Sequence, residues 1–115
     1  MTEPGGPAAA LIDEGVALYN AGRFWEAHEA FEAVWRGAGE AERPLWQGLI
    51  QAAAALLHQS RGNAHGVAVV GGAAVEKLRR PAPPGFPIET RGFADALARC
   101  LASGAPTPEM KRKQS

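Results

Sequence analysis

The chain has 115 residues and a mass of 12.1 kDa, enough for one small domain with a modest core. Its hydrophobic content of 46% and charged content of 21% are typical of a globular protein and exclude a disordered one. The formal net charge of +0 excludes a strongly basic protein, so we expect no nucleic-acid partner and no attraction to anionic membranes.

The predicted helices begin with residues 7–20, where small and apolar residues recur and an Asn-Ala-Gly sequence ending at Gly22 indicates a C-cap. A second helix is predicted for residues 23–36. Its stripe of aromatic residues and histidine recurs at i, i+4, i+7 and i+11 and consists of Phe24, His28, Phe31 and Trp35. The third helix covers residues 41–60 and has Pro44 in its first turn, where the missing N–H costs nothing.

The fourth predicted helix follows Gly62 and Asn63, which read as a left-handed residue and an N-cap, and runs to about residue 80. The alternative for Arg61-Gly62-Asn63 is an anion-binding turn. Thr90 can cap a last helix that ends near residue 101. No segment alternates as a strand does, so the sequence predicts an all-α fold of about five helices.

The domain boundaries follow from these elements. We expect one helical-bundle domain over residues 7–103, with a Pro-rich extended connector at 81–87 before the last helix. Residues 1–6 and the basic tail 104–115 are predicted to be disordered.

Location is predicted from what the sequence lacks. The single cysteine, Cys100, excludes an internal disulfide framework and a multi-cysteine zinc site. Residues 1–4 show neither the basic nor the apolar region of a secretory signal. The longest apolar stretch, residues 52–57, is too short to span a bilayer. We therefore expect a cytoplasmic protein.

The first helix pair resembles one unit of a tetratricopeptide repeat. That pattern has a small residue after its first helix, an aromatic residue two positions later and alanine three beyond, and Gly22, Phe24 and Ala27 fulfil it. The second pair is a poorer match, because Ala64 stands at the aromatic position. A solenoid needs at least three such units, so a compact bundle built from two helical hairpins is predicted.

A polar cluster on the second and third helices contains the candidate functional residues. Its members are Glu26, His28, Glu29, Glu32, Gln47, Gln51, His58 and Arg61. His28 and Glu32 stand one turn apart on one helix face. A histidine and carboxylates on adjacent turns can bind a divalent metal, and helical bundles form metal sites between facing helices. His28, Glu32 and His58 are therefore candidate metal ligands, and the metal would be the cofactor.

Known metal motifs are incomplete in this sequence. Glu32 occupies the position of the second histidine of an HExxH motif, and Trp25 precedes His28 where a Glu-x-x-His motif has glutamate. The alternative, which we favour, is structural. His28 would then be buried and hydrogen-bonded to the third or the first helix, and Glu32 would pair with Arg36 or Arg61. Gln47 and Gln51 would hydrogen-bond locally.

The three tryptophans present a similar choice. Trp35 continues the apolar stripe and is expected to pack in the core. Trp25 and Trp46 lie nearer the stripe edges, where an indole can face a groove or a partner, although core packing is the commoner role.

The combination of motifs resembles the domain of unknown function 309 family. It is carried by residues 24–36, by Leu45-Trp46-Gln47-Gly48-Leu49-Ile50-Gln51, and by His58 and Arg61-Gly62-Asn63, within a region of about residues 12–80. The resemblance implies a helical bundle and a cytoplasmic prokaryotic source. It implies no activity, so the polar cluster transfers only as a set of candidates.

Two functional hypotheses remain open at this point. The first is a helical binding module that uses a groove for a protein or peptide partner, or a surface for self-association. The second is a metal-dependent hydrolase in which His28, Glu29, Glu32 and His58 surround the ion and one carboxylate acts as general base on a metal-bound water. We favour the binding module.

Overall fold

The computed structural model describes residues 6–113 of the chain, with side chains from residue 8 onwards. Five helices follow one another: α1 (Gly6–Asn20), α2 (Phe24–Gly37), α3 (Arg43–Ser60), α4 (Ala64–Leu78) and α5 (Arg91–Ser103). The described residues contain no strand, only an isolated bridge between Ile88 and Arg112. The predicted all-α fold is confirmed. None of the helices in this part of the chain has the length and apolar character needed to cross a membrane.

The turns form for the reasons that the sequence indicated. Gly22 and Gly62 adopt positive φ angles of 80° and 71°, which glycine reaches without steric cost. Asn63 caps α4, because its Oδ1 accepts a hydrogen bond from the backbone N–H of Gly66 at 3.0 Å. The start of α5 differs from the prediction. The side chain of Thr90 makes no capping hydrogen bond, and the Glu89 carboxylate accepts one from the backbone N–H of Gly92 instead.

Consecutive helices pack against each other, and α3 also contacts α5. Two contacts define the register of α2 and α3: the rings of Phe31 and Trp46 are 6.0 Å apart, and the Arg43 guanidinium lies 4.3 Å from the Trp35 ring centroid. Trp35 follows Phe31 in α2, whereas its contact Arg43 precedes Trp46 in α3. The two helices are therefore antiparallel, as the short loop between them predicted.

The core lies where α1, α2 and α3 meet and continues beneath α4 and α5. Its largest fully buried side chains are Trp46, Tyr19, Phe31, Phe86, Leu45, Leu49, Leu78, Ile88, Leu97, Met110 and Cys100. Burial of Phe31, Leu49 and Leu56 was predicted and is confirmed. Trp35 and Ile50, which we expected in the same core, are only partly buried, because they lie at the outer edge of the α2–α3 contact.

Two glycines allow the helices to approach closely. A Cβ atom on Gly15 of α1 would lie 2.6 Å from the Phe31 ring, and one on Gly48 of α3 would lie 2.9 Å from Leu78 Cγ. Both distances are shorter than van der Waals contact. The bare backbone at these positions therefore sets the α1–α2 and α3–α4 spacing.

The sequence predicted a disordered tail over residues 104–115, but residues 104–113 are held against the bundle by specific contacts. Met110 is 1% exposed, and its backbone N–H and C=O both bond to the side-chain amide of Asn20 at 2.9 Å. The Tyr19 hydroxyl donates to the Pro108 carbonyl at 2.7 Å. Burial raises the pKa of the Tyr19 phenol, and the nearby Cys100 raises it further. The phenol therefore remains protonated and able to donate a hydrogen bond. Residues 1–5 and 114–115 of the predicted disordered ends lie outside the described residues.

The connector is also part of the core. Phe86 and Ile88 are fully buried, and the rings of Phe86 and Trp46 are 4.9 Å apart. The tail reinforces this segment, because the Glu89 N–H donates to the Lys111 carbonyl at 3.0 Å and the Lys113 N–H donates to the Pro87 carbonyl at 2.7 Å. The connector and the tail are therefore held to each other by backbone hydrogen bonds.

Replacement of Met110 by alanine should lower the free energy of unfolding by roughly 2–5 kcal/mol, because it leaves a cavity beneath the tail. The neighbouring exposed residue supplies the control: Glu109→Ala should change stability by no more than about 0.5 kcal/mol. Urea unfolding followed by circular dichroism measures both. Equal midpoints for the two variants would show that the tail is not part of the folded core.

Candidate functional site

The outer surface of the α2–α3 hairpin has the features of a binding site. We call it the hairpin face and define it by Trp25, His28, Trp35, Arg43, Ile50 and Gln51. Trp35 and Arg43 are in contact. His28 lies about two turns before Trp35, and Ile50 lies about two turns after Arg43, so the antiparallel register brings these residues to the same level.

Three buried side-chain polar atoms without a hydrogen-bond partner lie on this face: Nδ1 of His28, Nε of Arg43 and Oε1 of Gln51. They are the complete set found among the described residues. A buried polar atom without a partner costs about 1–3 kcal/mol, and native proteins contain few of them. Their concentration on one surface is therefore a functional signal, since a bound partner could satisfy them.

Arg43 was missed by sequence analysis. Its guanidinium stacks on Trp35, and it makes none of the ion pairs formed within residues 6–113. A stacked arginine retains its full positive charge. The short α2–α3 loop was the signal that could have identified it, because this loop must bring the start of α3 beside the end of α2.

His28 differs from its prediction. Its ring stacks on Trp25 with centroids 5.2 Å apart and an angle of 9° between planes, and its side chain is 23% exposed. The predicted hydrogen bond to α3 or α1 is wrong, since Nδ1 has no partner and Nε2 lies 3.9 Å from Glu32 Oε2, too far for a hydrogen bond. The imidazole instead lies against the exposed ring of Trp25 at the edge of the hairpin face.

The carboxylates of α2 are used in local ion pairs. Glu32 accepts a hydrogen bond from Arg36 at 2.9 Å, which confirms the predicted pair. Glu26 accepts from Arg23, and this bond lowers the pKa of the Glu26 carboxyl. Glu29 is exposed.

The glutamines of α3 do not follow the prediction of local hydrogen bonds. Gln51 Oε1 is buried without a partner, and no hydrogen bond of the Gln47 side chain occurs among the described residues. Gln47 is exposed, so its amide is open to solvent. The polar cluster is therefore divided between satisfied ion pairs and unsatisfied groups on the hairpin face.

His58 belongs to the turn between α3 and α4. The Asn63 amide donates to His58 Nδ1 at 3.1 Å, and Gly66 packs directly on the imidazole, since a Cβ there would lie 2.6 Å from the ring. Arg61 is exposed in the same turn. The contacts of His58 are thus separate from those of His28. Within residues 6–113, no group of three or more His, Cys, Asp or Glu side chains is placed to bind a metal ion.

Two glycine substitutions in α4 should have opposite effects on stability. Gly66→Ala should reduce it by roughly 1–3 kcal/mol, because the new methyl group would displace the His58 ring. Gly72→Ala should increase it by roughly 0.5–1 kcal/mol, since nothing lies within 4 Å of a Cβ there and alanine favours the helix. Thermal unfolding in dilute solution compares them. A Gly66→Ala protein as stable as Gly72→Ala would contradict the structural role of His58.

In comparisons with known proteins, one family profile matches the part of the chain that contains these helices. The profile of a family described as "Domain of unknown function (DUF309)" matches residues 12–70, which extend from α1 into α4 and include the whole hairpin face. No curated protein and no solved structure matches the chain.

Proposed function

The chain belongs to the DUF309 family of domains of unknown function, and we propose that it is a helical binding module that binds a carboxylate-bearing peptide segment on its hairpin face. The observation that carries this proposal is the concentration of three unsatisfied buried polar atoms on that face. A carboxylate and the adjacent backbone of a peptide supply acceptors and donors for all three atoms.

The apolar part of the face suits a peptide. Trp25 is 54% exposed, and Trp35 and Ile50 on the same face are partly exposed. Tryptophan and arginine are the residue types that contribute most to the energy of protein interfaces, especially where they are surrounded by apolar contacts that exclude water. The face combines both types, and Arg43 stacks directly on Trp35.

The charge of the face indicates the polar chemistry of the partner. Arg43 carries a positive charge without an ion-pair partner among the described residues, whereas Glu32 and Glu26 are already paired with arginines. A guanidinium that is oriented by stacking can bind a carboxylate through two parallel hydrogen bonds. His28 Nδ1 offers a further polar contact on the same face, about two turns of α2 away from the Trp35–Arg43 stack.

A metal-dependent hydrolase gains no support from this arrangement. His58 contacts Asn63 and Gly66 in the α3–α4 turn, apart from His28 and Glu32, and Glu32 is engaged with Arg36. The proposal therefore retains the binding module. It also places the protein in the cytoplasm, where reducing conditions suit a chain whose only cysteine is free and buried.

Selection from a phage library of random dodecamer peptides tests the proposed function. Peptides enriched on the wild-type protein should share an aspartate or glutamate next to apolar residues. Arg43→Gln should weaken their binding at least about tenfold, because the substitution removes the charge that faces the carboxylate. Fluorescence polarisation of labelled peptides measures the affinities.

Two further variants complete this experiment. Trp25→Ala removes exposed apolar surface and should also weaken binding without unfolding the protein. Arg91→Gln is the matched control, because Arg91 is an exposed arginine at the start of α5, outside the hairpin face. The proposal fails if no peptide is enriched, or if the enriched peptides bind Arg43→Gln and Arg91→Gln with equal affinity.

A further inference from the structure

A second candidate site is a cavity that lies apart from the hairpin face. Residues of α1, the end of α2, the α2–α3 loop, the start of α3 and the connector surround it, and its volume is about 430 Å³. Small-molecule sites typically have volumes of roughly 300–1,000 Å³. We call it the loop cavity, and its lining includes Leu11, Ile12, Val34, Ala38, Glu42 and Trp46.

The walls of the loop cavity are mostly apolar. Leu11 and Ile12 contribute from α1, Val34 contributes from α2, and alanines complete the lining on both helices. An aliphatic ligand body would gain stability here, because it leaves water for an apolar surface. Glu42 is the one charged residue in the lining that the structure describes. The polar end of such a ligand is therefore set by this carboxylate.

Glu42 is only partly exposed, and its carboxylate makes no ion pair within residues 6–113. The next residue, Arg43, stacks on Trp35 instead. The Trp46 indole N–H donates to Glu42 Oε1 at 3.0 Å, which orients the carboxylate. A carboxylate has about four acceptor positions, so Glu42 can accept further hydrogen bonds. Because partial burial of an unpaired charge is unfavourable, a cationic ligand would stabilise this group.

We propose that the loop cavity binds a small aliphatic primary amine, whose ammonium group bonds to Glu42 and whose alkyl chain lies along the apolar walls. The charge of the lining selects this ligand. An ammonium group donates three hydrogen bonds and carries the charge opposite to that of the carboxylate. The lining that the structure describes contains no lysine, arginine or histidine, so an anion would find no charged partner there.

The position of the cavity favours a free small molecule over a lysine side chain of another protein. Its lining comes from three helices, from the loop between two of them and from Pro83 of the connector. A lysine side chain would approach together with its own peptide groups, and the mostly apolar lining offers these few hydrogen-bond partners. A free amine has no such groups, so only its ammonium end requires a polar contact.

Titration of the intact protein with n-hexylammonium chloride, followed by proton–nitrogen NMR spectra, tests this proposal. The indole N–H signal of Trp46 should shift, because its acceptor Glu42 binds the ammonium group. A Kd on the order of 1 mM is expected for a ligand of this size. The uncharged probe n-hexanol has the same alkyl chain and should bind at least about fivefold more weakly. Equal affinity for the two probes would overturn the proposal.

Glu42→Gln removes the charge but keeps an acceptor for the Trp46 indole N–H. It should weaken n-hexylammonium binding at least about tenfold and leave n-hexanol binding unchanged within about twofold. Glu40→Gln is the matched control, because Glu40 is an exposed residue of the same loop outside the cavity lining. It should bind as the wild type does. Equal losses in the two variants would contradict a specific contact with Glu42.

Ala38→Leu tests the cavity independently of the charge. The larger side chain fills part of the cavity and should weaken binding of both probes, whereas Glu42→Gln weakens binding of the ammonium alone. If Ala38→Leu shows wild-type thermal unfolding and binds both probes normally, the amine does not bind in this cavity and the proposal fails.

A lysine analogue distinguishes the two sources of an aliphatic ammonium group. Nα-acetyl-lysine N-methylamide has the same ammonium group and stem but also carries two peptide groups, so it should bind more weakly than n-hexylammonium. Tighter binding of the analogue would overturn the assignment of a free amine in favour of a lysine side chain of another protein. None of these titrations uses the selected peptides, so the two proposals can fail separately.

Discussion

The close approach of α3 to its neighbours is the contact on which the rest of the structure depends. Its Trp46 and Leu49 side chains pack into the core beside Phe31 of α2, while Gly48 presents bare backbone to Leu78 of α4. Large side chains fill the space between α3 and α2, whereas the bare backbone at Gly48 lets α4 approach α3 closely. Because α3 also contacts α5, a change in its side chains would be transmitted to most of the bundle.

This arrangement leaves two surfaces uncovered. Consecutive helices pack side by side, so α2 and α3 present one outer face and α4 presents another. The hairpin face has unsatisfied buried polar atoms and a stacked arginine, whereas α4 has no Asp, Glu, Lys or Arg from Ala64 to Val75. The polar chemistry of the hairpin face is the reason why we assign a carboxylate-bearing peptide to it.

The tail shows how an ordinary polar sequence becomes ordered. Nothing in its local pattern predicts regular structure, and α5 ends before it at Gly104, which has a φ of 74°. It is held by long-range contacts: Asn20 bonds to both backbone groups of Met110, and Tyr19 bonds to Pro108. Such contacts join residues about ninety positions apart, so only the folded chain brings them together.

The sequence by itself determined the helices, their turns and the antiparallel α2–α3 pairing, because helical periodicity, glycine at positive φ and a short loop act over a few residues. It also directed the search for a site to the α2–α3 hairpin and predicted the Glu32–Arg36 pair, which is one turn long. Only the tertiary structure decided which polar atoms lack partners, that Arg43 stacks on Trp35 and that His58 packs on Gly66. Those outcomes depend on the distances between helices, which are set by side chains that are remote in sequence.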